Sequence, residues 1–273
     1  MLTRVDVINE RGESLSLPLQ GNMSGYQIKD IEGLDPGTAS LSDSPTALLP
    51  GSDYITGHRE PRDIVLHLGY DEDYVTNTVE SLRRNLYRFF MPTTAVRLRF
   101  FFDGQPFVDI SGVVKTCESA LFTKDPETAV TLVAHRPDFS AVTETVIAGA
   151  SQTELTVPYE GTVPVGYFLE ATFDRDVPYG TLTLSHTTGG ITSSVTLSSA
   201  FETGDAVKLN TVPGDKYVRI FRMANAEEVS GLPYLESFGA WPVLRPGQNV
   251  LTLGLEGLPI PFTVRYTAKY GGL

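Results

Sequence analysis

AVRLRFFFDGQPFVDISGVV, residues 95–114, decides the fold. Val96, Leu98, Phe100 and Phe102 alternate with Arg97 and Arg99, the period of a strand with one buried and one wet face. Asp103-Gly104 then supplies a two-residue hairpin turn, and the chain returns through QPFVDISGVV. Strands joined this tightly pair with each other, so the first half is organised around an antiparallel sheet. Upstream, RDIVLHLG (62–69) sets Ile64, Leu66 and Leu68 on one side, and downstream TAVTLVAH (128–135) adds a further strand.

One segment reads as a helix. In DYVTNTVESLRRNLYRFFMP (73–92), Val75, Val79, Leu82, Leu86 and Phe89 or Phe90 recur at helical spacing. Asp71, Glu72 and Asp73 stand at its start and Arg83, Arg84 and Arg88 towards its end, as the helix dipole favours, and Pro92 stops it. The stretch GLDPGTASLSDSPTALLPGSDYITGHREP (33–61) reads as an unusually long, turn-rich loop. Loops of that length in a compact domain usually carry function, so it is a candidate partner-contact segment.

Apolar density falls in HRPDFSAVTETVIAGAS (135–151), which sets a domain boundary near residues 137–145 and divides the chain into 1–139 and 140–273. Beyond it the pattern is almost purely β. VGYFLEATF aligns Tyr167, Leu169, Ala171 and Phe173, and TLTLSHTTGGITSSVTL is a hairpin with Gly189-Gly190 at its tip. PFTVRYTAKY alternates Phe262, Val264, Tyr266, Ala268 and Tyr270 against polar residues. Short strands separated by Pro-Gly turns at 213–214 and 246–247 predict a β-sandwich. The fold class expected is therefore mainly β with one prominent helix, in two domains.

With 273 residues and 41% hydrophobic composition, the chain can bury a full core. Its formal net charge is −12, and acids outnumber bases in both halves, so neither domain has the basic footprint that phosphate binding requires. A single cysteine, Cys117, can form no intramolecular disulfide and reads as an inert thiol in a reducing compartment. MLTRVDVINERGE has no apolar core of a secretory signal, and no apolar run is long enough to span a bilayer.

The motifs of chemistry are missing or bland. No GxSxG, GxxxxGK[ST], GxGxxG or HExxH occurs, and the four histidines, His58, His67, His135 and His186, fall at no ligand spacing. Asp174 and Asp176 flank Arg175, and Asp71 and Asp73 flank Glu72; both clusters fit a strand end or a helix start better than a hard-cation site. No catalytic, cofactor-binding or metal residue is assigned, and no enzymatic activity is expected. Trp241, in AWPVLRPGQNVLTL (240–253), is the sharpest single residue. Its ring is either a candidate saccharide contact or an anchor packed on Leu251, Leu253 and Leu255, and the anchor is favoured.

Taken in order along the chain, several stretches resemble the distal tail protein (Dit) family of long non-contractile-tailed bacteriophages. They are YQIKDIEGLDPG (26–37), GHREPRDIVLHL (57–68), VESLRRNLYRFF (79–90), VRLRFFFDG (96–104) and VTLVAHRPDF (130–139). In the second half, NTVPGDKYVRI (210–220) and WPVLRPGQNVLTL (241–253) are similar to the turn-and-strand signature of that family's galectin-like, or carbohydrate-module-like, β-sandwich. Coverage is close to the whole chain, and it is order and spacing that carry the likeness. The resemblance implies a virion protein of the tail tip, assembled in the host cytoplasm. It implies a homohexameric ring built by the N-terminal domain, partnered by the tail-tube protein and the tail-hub protein, with a receptor-binding protein or host cell-wall saccharide as a further candidate partner. The alternative is a receptor-binding module whose second domain holds host saccharide through Trp241.

Overall fold

The computed structural model describes residues 1–273 except 20–24, 46–49, 74–76, 121–122, 124, 150–153, 239 and 256–257. The chain divides into two compact units, Met1–Val142 with Tyr270–Leu273, and Thr143–Lys269. The last four residues thus return to the first unit, whereas the sequence reading places them in the second.

In the first unit the strands are β1 (Leu2–Asn9), β2 (Ser14–Pro18), β3 (Tyr26–Glu32), β4 (Ala39–Pro45), β5 (Ser52–Arg59) and β6 (Arg62–Tyr70). Helix α1 (Val79–Phe89) precedes β7 (Ala95–Phe102), β8 (Gln105–Ala120), β9 (Glu127–Ala134) and β10 (Phe139–Ala141). Seven of these form an antiparallel sheet in the order β2-β1-β7-β8-β9-β6-β3. The Asp103-Gly104 hairpin forms as the sequence predicts, pairing Phe102 with Gln105 and continuing to Ala95 opposite Val113. At Val113 the sixteen-residue β8 changes its second neighbour, from β10 on its first half to β9 on its second.

Ile64, Leu66, Leu68, Val96, Leu98, Phe100, Val130 and Leu132 all point into one core. Helix α1 closes that core with Leu82, Leu86 and Phe89. Tyr26 of β3 holds it there: its buried hydroxyl donates to the Leu82 carbonyl at 2.8 Å and accepts from Asn85 Nδ2 at 3.1 Å. The helix begins later than the charge pattern suggests. Thr78 caps it, accepting from the Ser81 amide at 3.3 Å, so Asp71–Asp73 belong to the preceding connection, where Asp73 accepts from the Asn77 amide. A hydroxyl that satisfies a free first-turn N–H outranks an acidic run several residues upstream. Val75 of the predicted apolar face lies outside the described residues.

The second unit contains β11 (Thr145–Gly149), β12 (Glu154–Tyr159), β13 (Phe168–Thr172), β14 (Val177–Thr188), β15 (Ile191–Phe201) and β16 (Ala206–Asn210). There follow β17 (Tyr217–Arg222), β18 (Glu227–Ser230), a 3-10 turn (Leu232–Tyr234), β19 (Leu235–Phe238), β20 (Gly247–Leu255), β21 (Leu258–Pro259) and β22 (Phe262–Tyr266). A short β23 (Lys269–Tyr270) leads the chain back to β10. The unit is a β-sandwich of two antiparallel sheets, β11-β22-β13-β16-β17-β18 and β12-β20-β14-β15-β19, with β21 on β20.

Leu169, Ala171, Leu209, Ile220 and Val264 of one sheet and Leu184, Leu197, Leu251 and Leu253 of the other are buried, the alternation expected of two inner faces. Phe173 and Phe201 stack at 4.0 Å. Polar groups share this interior: His186 is bonded to Asn249 at 3.1 Å, and Tyr167 meets the imidazole edge-on at 5.6 Å. Burial lowers the His186 pKa, so the ring is neutral near pH 7.

Candidate functional site

Where the sequence suggests a loop over 33–61, the structure has a two-stranded antiparallel ribbon. β4 and β5 pair from Ala39 opposite Arg59 to Pro45 opposite Ser52 and, among the described residues, with no strand of the large sheet. Neither strand has a buried face, so neither shows the alternation by which a strand is recognised. Leu41 (67% exposed), Tyr54 (67%) and Ile55 (61%) put apolar surface into solvent along it.

The root of this arm is fixed by charge and backbone together. Arg62, at the start of β6, is 5% exposed. Its Nη1 donates to the carbonyls of Gly33 at 3.0 Å and Leu34 at 3.4 Å, its Nη2 to that of Gly271, and its guanidinium lies 4.7 Å from the Phe139 ring centre. Gly33 has φ +85°, and a Cβ there would overlap the Asp63 carbonyl, so only glycine fits. Arg59 makes a bidentate pair with Asp138, and Leu273 N–H donates to the Leu34 carbonyl at 2.9 Å. The quoted stretches GLDPG and GHREPRD are thus the two ends of one ribbon, and their charged and glycine residues hold its base. Beside that base, where β9 and β10 part from β8, lies a cleft of about 510 Å³ lined by Arg97, Ser111, His135, Arg136, Asp138 and Ser140, among others.

The remaining sequence candidates do not converge. His58 sits on the arm, His67 Nε2 is 3.1 Å from Glu32, and His186 is the core residue described above. Cys117 is half-buried on β8, its pKa pushed up to about 11 by desolvation, which keeps the thiol protonated. Asp174 pairs with Arg175 at 2.8 Å. Asp176 accepts from the Thr203 hydroxyl and amide, both at 2.7 Å, and these bonds lower its pKa. Among the described residues no three His, Cys, Asp or Glu side chains are grouped as metal ligands would be.

Trp241 is half-buried and lies outside the regular strands, and Lys216 Nζ stands 5.7 Å from its ring centre. Leu244 of this segment, bridged to Val165, is wholly buried, as are Leu251 and Leu253, whereas the indole is only partly buried. Pattern could not separate Trp241 from Leu244, because each begins an apolar step before the Pro-Gly turn.

No family model matches the chain, and no curated protein matches it in sequence. Among solved structures it is similar to SPP1 Dit (gp 19.1), described as a paradigm of the hub adsorption apparatus in Gram-positive infecting phages. The two are 13% identical, with 97% of this chain and 98% of that chain covered and a TM-score of 0.67. A chain of the phage P2 baseplate in its activated conformation with calcium aligns at 10% identity over 98% and 99%, but its TM-score of 0.40 is too low to carry an argument. The chain has a Dit-like fold, mainly β with one helix, as the sequence resemblance implies.

Proposed function

We propose that this chain is a structural component of a phage tail tip, a hub protein whose first unit closes a six-membered ring between the tail tube and the tail-hub protein. The observation that carries this reading is the likeness in fold to SPP1 Dit over nearly the whole of both chains. The arm supports it. A cyclic assembly needs one surface of each subunit to meet a different surface of the next. A rooted ribbon with exposed Leu41, Tyr54 and Ile55 and open strand edges supplies one half of such a contact. The number six, the axial partners, the place at the virion tail tip and assembly in the host cytoplasm come from the family resemblance. The acidic balance suits a ring through which DNA passes without adhering.

Cryo-electron microscopy of the protein co-expressed with its tube and hub neighbours tests this. Six-fold density on the tail axis is expected, and density confined to peripheral fibres refutes the reading. A second reading, saccharide binding by the β-sandwich, is favoured by Trp241, an aromatic residue that is only partly buried and has a lysine near its ring.

A further inference from the structure

The outer face of the β16-β17-β18 edge is unlike an ordinary wet sheet face. Tyr217 and Phe221 alternate outward on β17, and each ring has a cation over it: Arg219 at 4.4 Å from the Tyr217 centre and Lys208 at 5.4 Å from that of Phe221. Glu228 of β18 holds both cations, Lys208 directly and Arg219 at 3.2 Å, and these two bonds lower its pKa.

At the end of this face the 3-10 turn folds back over β17. Gly231 N–H donates to the Val218 carbonyl at 2.9 Å, and a Cβ on Gly231 would come within 2.7 Å of Val218 Cγ1, so the turn hugs the strand only because residue 231 is glycine. The result is a cleft of about 200 Å³ with Tyr217 and Arg219 on one side, Glu228 and Ser230 along the edge, and Leu232, 56% exposed, opposite. It is smaller than the roughly 300–1,000 Å³ of sites for drug-sized ligands and suits a single ring. Lys216 lines its mouth and makes an ion pair with no carboxylate among the described residues, though the chain as a whole carries −12.

We propose that this cleft binds an anionic saccharide: one sugar ring against Leu232 and the side of Tyr217 that Arg219 does not cover, its hydroxyls bonded to Arg219, Glu228 and Ser230, and its carboxylate or phosphate facing Lys216. The chemistry fits each lining group. A sugar ring has an apolar C–H face that packs on an aromatic ring, and adjacent hydroxyls that both donate and accept, which a carboxylate beside a guanidinium matches. An extended acidic peptide would instead seek the free backbone edge of β18. The inference rests on the saccharide reading of the second unit and is independent of the ring.

The test is titration of the whole protein with glucose, glucuronic acid, glucose 1-phosphate, inorganic phosphate and a tetraglutamate peptide, followed by saturation-transfer NMR. The two anionic sugars should bind more tightly than glucose, and inorganic phosphate and the peptide should not bind. Tyr217→Ala should weaken anionic-sugar binding about ten-fold and Tyr217→Phe should retain it. Lys216→Ala should erase about three-fold of the preference over glucose. A parental far-UV circular dichroism spectrum would show that each variant is folded. Sugar binding that survives Tyr217→Ala and Lys216→Ala but is lost in Trp241→Ala would overturn the cleft and keep the wider saccharide reading. Binding of no sugar, or of the peptide equally well, would overturn both.

Discussion

Removing the Arg62 guanidinium should loosen the arm at its base. The Gly33 and Gly271 carbonyls lose the Arg62 donor in Arg62→Ala, the Leu34 carbonyl keeps only the Leu273 N–H, and the Phe139 ring loses its cover. A hydrogen bond from a charged donor contributes about 1.5–3 kcal/mol. Here the bond to Gly33, at 3.0 Å, is well formed and the one to Leu34, at 3.4 Å, is marginal. Against their sum stand the desolvation of the guanidinium and about 2 kcal/mol of arginine side-chain entropy. The net loss should be about 3 kcal/mol for Arg62→Ala. For Arg62→Lys, which keeps the charge but reaches fewer of the carbonyls, it should be about 1–2 kcal/mol. Urea unfolding followed by far-UV circular dichroism should show an earlier transition of the first unit, while the fluorescence of Trp241, in the second unit, keeps its midpoint. Limited proteolysis should cut within 33–61 sooner in both variants. A loss below about 1 kcal/mol with unchanged proteolysis would refute the claim that Arg62 roots the arm.

Three further outcomes are expected. Replacing Leu41, Tyr54 and Ile55 by serine should leave the melting temperature of the isolated protein nearly unchanged, because all three are exposed, yet abolish ring assembly in native mass spectrometry of the co-expressed complex. Asp205 is buried; burial alone would raise its pKa, but the Met223 and Glu202 amides and Arg222 outweigh that and lower it. Its contribution to stability is therefore present above the unfolded carboxylate pKa of about 3.9 and lost as pH falls through the lower folded value. Acid titration of Asp205→Asn should lose that dependence, and an acid midpoint identical to the parent's would count against it. Trp241→Ala should destabilise by about 1–2 kcal/mol in thermal unfolding, below the roughly 3–5 kcal/mol of a wholly buried tryptophan, since the residue is only partly buried.

By itself the sequence determined the parts whose pattern reflects burial. The hairpin about Asp103-Gly104, the apolar faces of β6, β7 and β9 and the Gly189-Gly190 turn are where period-two alternation places them, because one face of each strand meets a core and the other meets water. Only the tertiary structure decided what lacks such a core. The arm of β4 and β5 has no buried face, so its sequence carries no period, and its rigidity depends on Arg62 reaching carbonyls 28 to 29 residues before it and one 209 residues after it. The proposed saccharide cleft depends likewise on the Leu232–Tyr234 turn closing over β17, and the wholly buried Leu244 is bridged to Val165, 79 residues before it. Contacts between residues distant in the chain are set by three-dimensional closure, and local periodicity holds no record of them.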